Sequence, residues 1–290
     1  MESFREIQNV RPLTVTSGLR AAMLRAPLKI ALRHEEKTRT YRDLLQRIDK
    51  VADITLGDLQ LRPGQHALIV ARNCIEYVEL VCGLGEAGLT VGTITSRITI
   101  PELEAICDDA EARVVFTDAV TDPIARKAKF RTVERVIMIG DQYESWLGKP
   151  VAPSERPSIK ETDSWVMGYT SGTTGDPKGA LLSHRSRVLL ILASAAEFGC
   201  FSVDDRYLAI TPPNHGGGLL RIMASLFFGG YAEVVDKFDA EAILLKLTAG
   251  HFTSTALVPT HFHSIFSLDR KLLNKYRHSH SKRSSLTALH

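Results

Sequence analysis

Short apolar runs alternate along this chain with longer segments of helical periodicity, and that alternation restricts the fold more than any other feature. Ala67 to Ala71, Leu89 to Thr95, Arg113 to Thr117 and Arg135 to Ile139 read as strands. Between the first three of these strands lie segments with apolar residues three and four apart, the spacing of one helix face. Thr40 reads as the N-cap of a helix that carries Leu44, Leu45, Ile48 and Val51 on one side. Asn73 reads as the cap of the next helix, with Tyr77, Leu80, Val81 and Leu84 in register and Gly85 and Gly88 marking its end. Pro101 stands where the first turn of another helix belongs. After a looser stretch at 148–157, which holds three prolines, the alternation resumes. Helices are expected at 187–198, 219–228 and 240–247, and strands at 207–211, 232–235 and 254–258. Strands separated by helices of this length form parallel βαβ units, so an α/β fold of two parallel-sheet lobes, at about 1–157 and 158–276, is expected.

The 290 residues can bury a core without disulfide or metal staples. The cysteines, Cys74, Cys82, Cys107 and Cys200, form no CxxC pair and no zinc-ligand spacing, so reduced buried thiols are expected. A formal charge of +3 is too weak to argue for nucleic acid or an anionic surface. Arg277, Lys282 and Arg283 account for all of it. The N-terminus lacks an apolar core of the signal-peptide type, and the longest apolar run, 188–196, is too short for a bilayer span. A cytoplasmic chain with no integral membrane segment is expected.

One segment concentrates chemistry: Tyr169-Thr170-Ser171-Gly172-Thr173-Thr174-Gly175-Asp176-Pro177-Lys178-Gly179. Glycines let backbone N–H groups approach an anion, hydroxyls donate to phosphate oxygens, and Lys178 supplies a mobile positive charge. A Walker A loop fails here, because Pro177 and Gly179 occupy the positions of its second glycine and its hydroxyl. A hydrolase nucleophile elbow fails as well, since Ser171 sits one place late in Gly168 to Gly172. Composition alone would also allow a plain Ser/Thr/Gly surface turn.

The order of residues decides the matter. YTSGTTGDPKG closely resembles the signature loop of the adenylate-forming (AMP-binding) superfamily, which includes acyl-CoA synthetases. Thr40-Tyr41-Arg42-Asp43-Leu44 is similar to the T-Y-x-E-L helix start of that family, and Asn73 with Glu76 to its N-x-x-E segment. Gln65 stands in a usual Asp place, and Thr93 or Ile94 where a Pro is usual. Leu182-Ser183-His184-Arg185 resembles the L-x-H-x-N helix entry. Pro212 to Gly218 aligns with P-L-F-H-x-x-G, His215 matching the His and Asn214 replacing the aromatic.

The resemblance implies an acid–thiol ligase of the acyl-CoA synthetase branch, with ATP, Mg2+ and coenzyme A taking part. A carboxylic acid, fatty or other, would be activated as acyl-AMP and passed to coenzyme A. It assigns Thr170, Ser171, Gly172, Thr173, Thr174, Gly175 and Lys178 to the ATP phosphates, and His215 and Gly216 to the substrate pocket. The family's adenine segment, its Y-G-x-T-E motif with the magnesium-binding Glu, its ribose-binding Asp and its activating lysine are not found after Thr260. No metal ligand and no complete catalytic set is therefore expected within the chain, and thioester formation by it alone is not expected. The alternative is a non-catalytic nucleotide- or acyl-binding module. The likeness is expected to stop near Tyr276. Residues 277–290 then read as a basic tail outside the family, neither helix nor strand, and a shifted frame over 281–290 can encode K-A-L-I-S-N-G-A-P, which resembles the adenine segment. A change of reading frame is the expectation there.

Overall fold

Thr40 ends one strand and opens the first long helix, and its chemistry shows how local sequence sets the architecture. Its hydroxyl accepts from the Asp43 N–H and its own N–H donates to the Asp43 carboxylate, both at 3.1 Å. That reciprocal capping box starts the helix where the sequence placed it. The next residue, Tyr41, is buried and donates its hydroxyl to the Gly230 carbonyl at 2.9 Å. The T-Y-x-E-L likeness therefore encodes a helix start plus a tie to a distant turn.

The computed structural model describes residues 12–153, 155–170, 178–276 and 285–288. In chain order these form α1 (Ser17–Arg25), β1 (Ile30–His34), β2 (Lys37–Thr40), α2 (Tyr41–Gly57), β3 (His66–Val70), α3 (Ile75–Glu86), β4 (Thr90–Ile94) and α4 (Ile100–Asp109). There follow β5 (Ala112–Thr117), α5 (Asp122–Lys127), β6 (Arg135–Met138), α6 (Asp141–Leu147), β7 (Ser164–Thr170), β8 (Lys178–Ser183) and α7 (His184–Phe198). The remainder is β9 (Arg206–Ala209), α8 (Gly216–Phe228), β10 (Tyr231–Val234), α9 (Ala240–Thr248), β11 (Ser254–Leu257), α10 (Pro259–Phe266), α11 (Arg270–Tyr276) and β12 (Ser285–Ala288).

Two mainly parallel sheets result, as the alternation implied. The first runs β6-β5-β3-β4-β7-β8 and the second β12-β11-β9-β10-β1-β2. Each draws strands from both sides of residue 157, so the lobes do not divide at the proline-rich stretch. The β7–β8 hairpin completes the first sheet, while the β1–β2 hairpin closes the second. The β1–β2 pair was not expected from sequence. Glu35 and Glu36 occupy its two-residue turn, with Glu35 at φ 52°, and neither residue is a turn signal.

The helix α3 lies in the interior, where one apolar cluster joins both sheets with α1, α2, α3 and α8. Every residue from Ile75 to Gly85 is buried, which explains the absence of a polar face. Gly85 lies within this helix, and Gly88, at φ 80°, marks the turn after it. The outer faces have their own cores. Leu103, Ile106 and Cys107 of α4 pack on the first sheet, and Ile243 and Ile265 of α9 and α10 on the second. Successive β3 and β4 residues divide between the inner and outer clusters, as strands covered on both faces must. All four cysteines are free thiols.

Residues 285–288 form β12, parallel to β11 over Ser254↔Ser285 to Leu257↔Ala288. This corrects the reading of the last residues as lacking a strand. The basic residues before it obscured a four-residue strand that continues the second sheet.

Candidate active site

Open α/β sheets bind ligands beyond the carboxyl ends of their strands, at the point where the connections change direction. In the first sheet the connections change face on both sides of β3, because α3 follows β3 on the inner face while α4 and α5 follow β4 and β5 on the outer one. Of the residues assigned from sequence, Thr170 ends β7 and Lys178 opens β8 of this sheet, while His215 and Gly216 open α8.

Thr170 is the last residue of β7 and Lys178 the first of β8, and they face each other in register. The two ends of the signature loop are thus held side by side by the hairpin. Ser171, Gly172, Thr173, Thr174 and Gly175 lie outside the described residues. Lys178 is exposed at the loop's return. The preceding Tyr169 donates its hydroxyl to Asp109 at 2.6 Å, tying the outgoing strand to the end of α4.

His215 is the N-cap residue of α8, and both it and Gly216 are exposed. The loop that carries them is set by Thr93 at the end of β4, whose hydroxyl donates to the Asn214 carbonyl at 3.4 Å. Thr93 is also the in-register neighbour of Gly168 on β7. One threonine therefore connects the His215 loop to the strand that leads into the signature loop. Sequence reasoning noted Thr93 only as standing near an expected proline. A proline at that position would supply no such donor.

Asn73 does not cap α3. Its side-chain amide crosses to the second sheet, donating to the Val235 carbonyl at 2.7 Å and more weakly to Ile210. Glu76 of the same N-x-x-E segment is nearly buried and pairs with Lys37 on β2 at 2.9 Å. Burial pushes the Glu76 carboxyl up, but the Lys37 hydrogen bond, a backbone N–H and the charges of Lys37 and Arg39 together outweigh it and hold the group below the usual range. The segment is an inter-sheet clamp at the mouth of the site. Asn73→Ala should cost about 2 kcal/mol, because it strands a buried carbonyl. Urea denaturation of the two proteins reads this directly.

Arg72 adds a second tie. Its guanidinium meets Asp118 at 2.8 Å and Asp236 at 3.1 Å, so the ends of β3, β5 and β10 are joined by one side chain. Burial raises the Asp118 carboxyl, while bonds from Arg72 and from the Thr121 and Val120 N–H groups more than reverse it.

His184, matched to the L-x-H-x-N entry, is buried against Trp165 and accepts from the Val15 N–H at 3.5 Å. Burial pushes its imidazole down to about 4, against a partial upward pull from Glu86 and Asp163. The neutral ring is the one the fold accommodates. Its contribution is present above the unfolded value of about 6.5 and is lost as pH falls towards 4. Stability should drop by roughly 2–3 kcal/mol over that window relative to a His184→Gln protein. Parallel urea titrations at pH 7 and pH 4.5 measure the difference.

Among the described residues no three His, Cys, Asp or Glu side chains converge as metal ligands. Among them, too, no helix is long and apolar enough to cross a membrane.

The AMP-binding enzyme family model matches residues 19–289. That range takes in all but the last residue of the segment expected to lie outside the family. Among curated proteins, the fatty acid–[acyl-carrier-protein] ligase ScoC of Streptomyces coeruleorubidus is 29% identical over 197 residues, 67% of this chain and 38% of its own length. The 2-succinylbenzoate–CoA ligase of Bacillus cytotoxicus is 27% identical over 230 residues, 79% of this chain and 45% of its own length. The chain therefore spans less than half the length of these two relatives. In fold it is similar to the anthranilate CoA ligase AuaEII, solved in complex with anthranoyl-AMP, at a TM-score of 0.84 and 19% identity. That likeness covers 98% of this chain and 55% of that one. With the family match running through both sheets and both candidate loops, this chain belongs to the AMP-binding enzyme family.

Proposed function

We propose that the chain supplies the phosphate-binding and acyl-side portion of an ATP-dependent acid–thiol ligase acting on a fatty or other acyl acid. The observation that carries this reading is the Thr93 junction, which sets the His215 loop beside the strand leading into the signature loop. In the first half-reaction a substrate carboxylate oxygen attacks the α-phosphorus of ATP. A carbon–oxygen–phosphorus anhydride forms as the bond to pyrophosphate breaks. In the second, a coenzyme A sulfur attacks the acyl carbon and AMP leaves with the electron pair of the broken C–O bond. Such chemistry depends on positioning and on neutralising developing negative charge.

The hydroxyls of Thr170, Ser171, Thr173 and Thr174, the N–H groups of Gly172 and Gly175, and the Lys178 ammonium are suited to the β- and γ-phosphates. His215 and Gly216 border the acyl end. Relatives that act on coenzyme A or on an acyl-carrier-protein thiol support the class of acceptor, and the anthranoyl-AMP complex of a fold neighbour supports the adenylate. Since the matched share is under half of these relatives, thioester formation is assigned to the whole protein. ATP–pyrophosphate exchange with a panel of carboxylic acids tests the division of labour. ATP binding without exchange is expected of these 290 residues, and robust exchange by them alone would refute it.

A further inference from the structure

Tyr169 and Gly179 face each other across the β7–β8 hairpin, one step inside the Thr170↔Lys178 pair. A Cβ at Gly179 would stand 3.1 Å from Cζ of the Tyr169 ring, so the ring leans across the hairpin onto the space that the glycine leaves clear. Among the described strands β8 pairs only with β7, which makes Gly179 a weak point on an edge strand. An aromatic laid over such a glycine restores the missing cross-strand contact. The other end of the side chain is anchored as well, since its hydroxyl donates to Asp109 at 2.6 Å.

Asp109 is the last residue of α4, and no basic residue lies in the final turn of that helix. The helix dipole disfavours a carboxylate there. Its neighbour Asp108 is offset by Arg131 at 2.8 Å, whereas Asp109 takes the Tyr169 hydroxyl. A carboxylate set against its local preference, with a phenol for its partner, is the sort of conflict that marks a site. Burial, followed by the Asp109 bond and charge, pushes the phenol up, so it remains a donor at neutral pH. Lys178 itself is exposed and carries its charge on a flexible four-carbon stem. What the fold can control is where that stem begins. We propose that Tyr169 is the positioning residue for Lys178: the ring holds Gly179, the hydroxyl holds α4, and together they fix the start of the lysine opposite Thr170. This role rests on the reading of Lys178 as a contact for the ATP phosphates.

Calorimetric titration of the full 290-residue chain with ATP and with AMP tests it. Tyr169→Phe keeps the ring over Gly179 and removes only the donor, while Asp109→Ala removes only the acceptor. Each should lower the preference for ATP over AMP about fivefold, the size of one hydrogen bond, with AMP affinity and melting temperature close to those of the parent. Combining them should cost no more than the worse of the two, because both remove the same bond. Asp109→Asn, which keeps an acceptor oxygen, should stand closer to the parent than Asp109→Ala does, and Asp108→Ala should leave the preference unchanged. In a Lys178→Ala background, Tyr169→Phe should have no further effect. A merely structural role would weaken both nucleotides together or lower the melting temperature, and either result would overturn the proposal. So would a preference for ATP that survives Tyr169→Phe. A parent that binds ATP no better than AMP would instead refute the proposed function, and this role with it.

Discussion

Glu79→Gln should cost about 3–5 kcal/mol, the range for breaking a buried ion pair by removing one partner. The Glu79 side chain is fully buried in α3, yet it accepts from Arg39 at 2.9 Å, Arg47 at 2.7 Å and the Tyr143 hydroxyl at 2.9 Å. Arg39 belongs to β2 of the second sheet, Arg47 to α2 and Tyr143 to α6, so one carboxylate gathers three elements around the interior helix. Removing its charge leaves two guanidinium groups, each about one-fifth exposed, facing a neutral amide. Domains of this kind have about 5–15 kcal/mol in all, so the variant should lose roughly a third to a half of a mid-range stability. Thermal and urea unfolding decide the point. A loss under about 1 kcal/mol would mean that the network is solvated and of the ordinary surface kind.

Gly218→Ala should be nearly as damaging and should act on the site itself. A Cβ at Gly218 would stand 2.2 Å from the Pro212 carbonyl oxygen and 2.7 Å from that of Thr211. Both contacts are backbone, so no side chain can swing aside. The loop from Thr211 to Gly218 would have to open, carrying His215 with it. Overpacking of this sort costs up to about 3 kcal/mol. Ligand affinity at the acyl end should fall at least tenfold, a consequence that a purely global loss of stability would not produce at saturating folding conditions. Gly217→Ala is the control, because its Cβ would meet only the movable end of Arg221. Equal affinity of Gly218→Ala and its parent for an acyl-AMP analogue would remove the tight turn from the account of the site.

The elements with a local signal were legible before the structure. The Thr40 cap, the α3 periodicity and the Pro101 start each arise from chemistry within a few residues. Partners distant in sequence were not legible. Asn73 looks like a helix cap because its preference for that position is local, whereas its acceptor, Val235, is brought near only by the packing of two sheets. The β1–β2 hairpin was hidden by a turn of two glutamates, and β12 by the cations around it. At the candidate site, the signature-segment residues and His215 are proposed from their pattern. Thr93 and Arg72 could not be, because a hydroxyl and a guanidinium at strand ends acquire a role only when another loop arrives beside them.

We propose that the signature segment from Thr170 to Lys178 makes this chain a receptor for adenine nucleotide phosphates. Calorimetric titration with ATP and with AMP, for the parent and for Lys178→Ala, tests it most directly. A charge-assisted contact is worth about 1.5–3 kcal/mol. ATP should therefore bind the parent at least tenfold more tightly than AMP, and that preference should vanish in Lys178→Ala. Equal affinity for the two nucleotides, or a preference that survives the loss of Lys178, would contradict it.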